Sequence, residues 1–376
     1  MLMNIMSKVL TLCIVVPVLM LAGCSSEQNP ATHTTSSQAQ LKPGLNHVSR
    51  PSNDNTAVDA DVNVPAEAAV PAVDVVPTSL DAAKVRAALF KNEETSSEQI
   101  SPGQWKIENR SGTRTCDIVS GSPHTLNTFL ALHLEGIDSI LDVLQLRSND
   151  DLGNLPRFSD EAGLSFASRD QATEALLSTI KDLGLENVAV AKVYALDHQS
   201  LSVVANEMKA SGQKNEYRFK ADWTAADDCY FIRLAFIVNN QAVDATDGTS
   251  MTEGEEISGS SVTAIYSANG LQYLEVSNGY QIAGLGESTT IVSADRAIDT
   301  VDAKFDELIT TTKYTIEDVT LKYVAVYRDN KQTTLKLVPA WCVTVLETGT
   351  GDKNGQKISV ANTLHVRIDA YTGKEM

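Results

Sequence analysis

The sequence predicts an α+β fold in which helices pack on mainly antiparallel sheets. Three observations carry this expectation. Apolar residues recur at helical spacing in capped segments such as 168–183, apolar residues alternate in runs such as Tyr230–Val238, and Asn-Gly dipeptides separate such runs. The order helix-strand-strand occurs twice, which allows two related modules.

The first segment is an export signal. Val9 to Leu21 is almost wholly apolar and follows Lys8; Ala22 and Gly23 then precede Cys24, and polar sequence begins at Ser25. An apolar core of about 13 residues suits a signal peptide and is short of the roughly 20 that span a bilayer. Pro17 also disfavours a long spanning helix. Leu21-Ala22-Gly23-Cys24 resembles the lipobox of bacterial lipoproteins. The resemblance implies removal of residues 1–23, lipid attachment at Cys24, and a mature protein held at the cell membrane on its extracytoplasmic side.

Residues 24–78 are rich in Ser, Thr, Asn, Gln, Pro and Ala with isolated valines, as in Val64-Pro65-Ala66 and Val70-Pro71-Ala72. This composition predicts a disordered, extended tether. Residues 79–165 are expected to be α-rich. Leu80 to Phe90 has helical spacing, Ser101-Pro102-Gly103 is a break, and Leu126, Leu130, Leu134, Ile137, Leu141 and Leu144 mark one face of a long helix flanked by His124 and His133.

A first α+β module is expected over 166–262. Ser168 and Gln171 form a capping box, Gly184 stops the helix, Asn187 to Leu196 reads as a strand, and Leu201 to Ala210 as a shorter helix. Tyr230 to Val238 turns at Asn239-Asn240 into Ala242-Val243, a hairpin. A second module is expected over 263–376. Asn269-Gly270 and Asn278-Gly279 predict tight turns of a meander, a helix covers roughly 294–309, and strands follow at 319–327, 335–346 and 364–368.

The chain end, Leu337-Val338-Pro339-Ala340-Trp341 with Ile368-Asp369-Ala370-Tyr371-Thr372-Gly373, resembles the terminal strands of PepSY-like modules and of YycI-like membrane-anchored regulators of bacterial sensor kinases. That resemblance implies a Trp-bearing strand followed by a last strand ending in an Asp-Ala-x-Thr-Gly turn, and it brings no catalytic residues.

The formal charge of −18 makes nucleic acid an unsuitable partner, because phosphate binding needs a basic footprint. Cys116, Cys229 and Cys342 show no CxxC spacing; three buried thiols, or one disulfide and one free thiol, fit them. The histidines form no zinc motif, and Asp244, Asp247 and Gly248 make only half a calcium loop, so no metal or cofactor is expected. Ser178 with Lys181 and Ser211 with Lys214 fit Ser-x-x-Lys but lack its partner motifs. Trp105, Trp223 and Trp341 are read as packing residues rather than a groove.

No catalytic set emerges. The expected function is a non-catalytic binding or regulatory module that meets an envelope protein or peptide along a sheet edge, with Leu335–Leu346 as the segment to alter. The alternatives are an envelope polymer hydrolase with an unrecognised carboxylate pair and a solute-binding lipoprotein.

Overall fold

Alternating valines open the folded body. The computed structural model describes residues 43–50, 55–120, 128–146, 152–211, 219–246, 248–249, 256–308, 310–327, 335–353 and 356–376. Strands β1 (Gly44–Arg50), β2 (Thr56–Val64) and β3 (Ala69–Pro77) occupy much of the segment expected to be a tether. Val58, Ala60 and Val62 of β2 are buried, whereas Asp59, Asp61 and Asn63 face outward. The period is two, so these residues form a half-buried strand once a sheet supplies the partner. The tether reading of 24–78 is therefore corrected for 44–50 and 56–77.

The next stretch is also less helical than expected. Helix α1 (Ala82–Phe90), capped by the Asp81 side chain, leads into β4 (Thr95–Ser101), β5 (Gln104–Asn109), β6 (Arg114–Val119) and β7 (Phe129–Leu134). Only then comes the short α2 (Asp138–Leu144). Leu130 and Leu132 are buried on β7 beside the core residues Cys116 and Ile118 of β6. The leucine spacing from 126 to 144 fits a helix on paper, but Gly136 breaks the run at φ 89°. The expected α-rich part is thus largely a four-stranded meander.

Helix α3 (Arg169–Asp182) has the full capping box of Ser168 and Gln171. β8 (Val188–Leu196), α4 (His198–Ala210), β9 (Cys229–Val238) and β10 (Gln241–Ala242) follow as expected. The minor strands β11 (Gly248–Thr249) and β12 (Glu256–Ser258) precede β13 (Ser261–Ser267) and β14 (Gly270–Ser277), joined by the Asn269-Gly270 turn. The last elements are β15 (Tyr280–Thr290), α5 (Ala294–Asp306), β16 (Lys313–Tyr327), β17 (Leu335–Lys353) and β18 (Gln356–Asp369).

These strands form two nine-stranded sheets. The terminal sheet runs β1-β2-β16-β17-β3-β15, with β18 on β17 and β12 on β16. It joins the first described strands to the last ones, and β2 lies parallel to β16 while the other strand pairs are antiparallel. The central sheet runs β10-β9-β13-β14-β7-β6-β5-β4, with β8 on the other side of β9. The expected boundary at residue 262 therefore moves, because β13 and β14 belong with β9 and the chain changes sheets between β14 and β15. Both α3 and α5 are followed by an antiparallel strand pair, β8–β9 and β16–β17. However, α4 separates the first pair, and β8 is an edge whereas β16 is interior.

Asn278-Gly279 is this crossover and not a hairpin turn. The Thr78 N–H donates to the Gly279 carbonyl at 2.8 Å, so the first entry into the central sheet and the last exit from it lie side by side. Asn278 donates to the carbonyls of Gly259 and Thr128. A β-carbon on Gly279 would lie 3.0 Å from Leu185 and 3.3 Å from Phe236.

One continuous core links the sheets. Val58, Val62, Val319, Leu321, Trp341 and Val343 pack with Ala297, Ile298, Val301 and Phe305 of α5, and this core extends to α1, α3 and one face of the central sheet. A second cluster lies under α2 and α4, around Tyr194, Phe231, Ile265 and Tyr273. Each of two helix sets thus covers a different face of the central sheet.

A buried ion cluster fastens the segment after β10 to the terminal sheet. The Asp244 N–H donates to the Tyr323 carbonyl at 2.7 Å. Its carboxylate, 5% exposed, accepts from Arg367 Nε at 2.9 Å and Lys322 Nζ at 3.2 Å. Arg367 Nη2 also donates to the Thr246 carbonyl at 2.7 Å. This arrangement replaces the half calcium loop read around Asp244, whose carboxylate is committed to two cations; Asp247 lies outside the described residues.

Two stability outcomes follow from these contacts. Asp244→Ala leaves two cations without their carboxylate and lowers unfolding free energy by about 3 kcal/mol, whereas Asp160→Ala, at an exposed pair, leaves stability close to that of the wild type. Gly279→Ala forces side chains apart and costs about 1–3 kcal/mol. Urea unfolding of the three variants measures both, and equal midpoints for Asp244→Ala and Asp160→Ala would contradict the clamp.

Candidate functional site

The residues singled out from sequence are dispersed and mostly structural. Trp341 is buried and its Nε1 donates to the Val292 carbonyl at 3.0 Å. Trp105 and Trp223 are half-buried at the margins of the two cores. No aromatic groove joins the three. Ser178 and Lys181 lie exposed on α3, and the Ser211 hydroxyl donates to the Met208 carbonyl at the end of α4. His133 sits edge-on to Tyr273, ring centroids 5.0 Å apart. Cys24, His124 and Lys214 lie outside the described residues.

The three cysteines are separate buried thiols. Burial pushes each of them up, Cys342 to about 12, with Asp244 beside it adding to the effect. Such thiols are inert. Among the described residues no group of three His, Cys, Asp or Glu side chains is placed to hold a metal.

Two histidine–carboxylate contacts stand out. His198 gives both its backbone N–H and its ring Nδ1 to the buried Asp228 carboxylate, at 2.7 and 2.8 Å. Asp228 thereby satisfies the first turn of α4 alongside the capping Asp197. His47 on β1 bridges Asp61 at 3.0 Å and Asp59 at 3.1 Å on β2. The hydrogen bond to Asp61 is the largest influence on its pKa and, with the contact to Asp59, outweighs desolvation and raises it above 6.5.

Strand edges are the features with binding chemistry. A free edge carries unpaired backbone N–H and C=O groups, and native edges are commonly blunted by charge, bulges or cover. β1 carries His47 and Arg50, the latter paired with Asp295 and Asp299 of α5. β4 is polar except for the exposed Ile100, with the charged Glu98 at its middle. β15 is broken by two register shifts. β18 meets the C-terminal residues through a bridge between Ile368 and Glu375. The expected Leu335–Leu346 segment is no edge. β17 lies between β16 and the strands β3 and β18, and Leu337 to Val343 are buried.

β8 differs along its length. Its second half is covered, since the Ala195 N–H donates to the Ser159 carbonyl at 2.8 Å and Lys192 pairs with Asp160. This pairing lowers the Asp160 carboxyl and raises Lys192, mainly through their shared hydrogen bond. Its first half is open. Ala189, Val190 and Ala191 are exposed, Val190 by 42%, and among the described residues no strand is bonded to their outer side.

Local sequence places this edge. Gly184, at φ 81°, ends α3, Leu185 anchors in the core, and Asn187, at φ 56°, turns the chain into Val188. Val188 and Val190 oppose Phe236 and Leu234 of β9, on the face that carries α3. Sequence reasoning found the strand but not its position, because nothing within Val188–Ala191 records that one side stays unpaired. Only the cluster of small apolar residues without charge was visible.

The acid–base contact at His47 has a measurable consequence. Its imidazole titrates above 6.5, and the ionic contact between β1 and β2 is present below that range and lost as pH rises through the folded-state midpoint. Asp61→Asn returns the midpoint toward 6.5, as followed by imidazole proton NMR; an unchanged midpoint would exclude Asp61 as the cause.

No family model matches the chain, and no curated protein matches it. Its fold is similar to that of a solved structure described as an uncharacterized protein from Eubacterium rectale ATCC 33656, with a TM-score of 0.64 and 17% identity over 88% of this chain and 93% of that one. This likeness shows a shared fold.

Proposed function

We propose that the protein is a lipid-anchored, extracytoplasmic binding module that takes an extended partner segment along the open half of β8. The observation that carries this reading is the contrast within one strand. Lys192 to Leu196 are guarded by Ser159 and Asp160, whereas Val188 to Ala191 present apolar side chains and a free backbone edge. Strand addition at such an edge draws affinity from main-chain hydrogen bonds and selectivity from alternate side chains.

The anchor supports the same reading. Leu21-Ala22-Gly23-Cys24 follows a short apolar core, and no described helix is long and apolar enough to cross a membrane. Membrane attachment would then rest on acyl chains, two of which suffice for stable anchoring. The acidic body, at −18, adds no electrostatic attraction to anionic lipid. The corrected fold also shortens the tether, since β1 begins at Gly44.

Metabolic labelling with a radioactive fatty acid tests the anchor. The wild-type chain is expected to incorporate label and sediment with membranes, and Cys24→Ala to lose both. Labelled Cys24→Ala protein would overturn the anchor. The edge is tested by Val190→Lys, which places a charge on an already exposed position; it is expected to reduce partner crosslinking at least ten-fold while leaving the urea midpoint unchanged.

A further inference from the structure

We infer that Asn269 is a site of spontaneous covalent modification, at which the side-chain amide converts to aspartate or isoaspartate through a cyclic imide formed with Gly270.

The chemistry begins with sequence. Where glycine follows asparagine, no β-carbon shields the next backbone nitrogen, and that nitrogen can approach the asparagine side chain closely. The Gly270 nitrogen attacks Asn269 Cγ. A C–N bond forms, the Cγ–Nδ2 bond breaks, and Nδ2 leaves as ammonia with the proton given up by the Gly270 amide. Water then opens the five-membered imide. Breaking the Cγ–N bond leaves aspartate. Breaking the bond at the backbone carbonyl carbon leaves isoaspartate, whose main chain runs through Cβ and Cγ. Either product replaces a neutral amide by a carboxylate, and water is the only reagent.

Sequence alone would assign this reaction equally to each Asn-Gly pair, and the fold separates the two that are described. Asn269 is exposed in the turn between β13 and β14. Its backbone N–H donates to Ser267 Oγ at 3.1 Å, and among the described residues its side-chain amide has no hydrogen-bond partner. A β-carbon on Gly270, at φ 83°, would meet no atom within 4 Å, so the ring has room on that side.

Asn278-Gly279 is held at the atoms that the reaction must move. Asn278 Nδ2, the leaving group, donates to the Gly259 carbonyl at 2.7 Å. The Asn278 carbonyl accepts from Ser260 Oγ at 2.6 Å, and the Gly279 carbonyl from the Thr78 N–H at 2.8 Å. These bonds fix the peptide plane between the two residues, which must rotate for the ring to close. Gly279 is also buried, with Leu185, Phe236 and Thr78 around the position of a β-carbon. Breaking hydrogen bonds in so crowded a place adds a cost that the open turn lacks. Asn354-Gly355 lies outside the described residues.

Isoaspartate at 269 would lengthen the main chain between the paired Ser267 and Gly270, next to the register shift at Ile265 and Tyr266. That end of the ladder borders the cluster under α2 and α4 through Ile265 and Tyr273.

Peptide mass spectrometry of the full chain tests the site. Folded protein is held at mildly alkaline pH, then cleaved after glutamate at mildly acidic pH; Glu275 separates Asn269 from Asn278. The peptide ending at Glu275 is expected to gain the mass of an amide-to-acid exchange at least ten-fold faster than the peptide that follows it. In urea, where the protecting bonds are absent, the two rates are expected to converge. Asn269→Gln, whose longer side chain disfavours the five-membered ring, is expected to abolish the gain. Equal rates in the folded chain, or conversion of the first peptide only in urea, would overturn the site. A gain that persists in Asn269→Gln would place the reaction elsewhere in the peptide. Rates that differ as much in urea as in the folded chain would trace the contrast to local sequence and overturn the protection assigned to the fold.

Discussion

The parallel pairing of β2 with β16 is the constraint on which the rest of this structure depends. It brings residues near the start of the folded body against the C-terminal third and makes one sheet from the two ends of the chain. Between β3 and β15 the chain builds the central sheet and rejoins the terminal sheet on the way through β11 and β12. Its first departure and last return meet where the Thr78 N–H reaches the Gly279 carbonyl, and there the side chains of Leu185, Phe236 and Thr78 crowd the position of a β-carbon at 279. A parallel pair cannot be closed by a short turn and needs a long connection. Here the connection is the central sheet itself.

The chain also crosses to the terminal sheet between β10 and β13, and Asp244 fastens it there. A buried carboxylate facing two cations is a poor source of net stability compared with well-packed apolar groups, but removing one member is costly. Its value is therefore positional. Lys322 and Arg367 stand on strands separated by β17, and one carboxylate can reach both only where the chain crosses the outer face at residue 244. The neighbouring Val324, Val326, Val338 and Ala340 are buried on that same outer face, so the polar clamp borders a small apolar cluster.

Local signals in the sequence were legible and nonlocal ones were not. The Ser168 capping box, the hairpin at Asn239-Asn240 and the Asn269-Gly270 turn are decided by neighbours in the chain, and each has the expected form. The apolar residues of β2 alternate as clearly as those of β9, but Asp and Asn occupy the intervening positions and proline follows, so the segment reads as polar linker until β16 provides its partner. The leucines from 126 to 144 fail for the opposite reason, since a spacing of three and four also fits a strand, a turn and a short helix in succession. Asn278-Gly279 has the composition of a hairpin turn, yet it answers to crowding by Leu185 and Phe236, which lie far away in sequence. The candidate edge belongs to this second class. The strand character of Val188–Ala191 is local, while its lack of a neighbour is a property of the whole sheet.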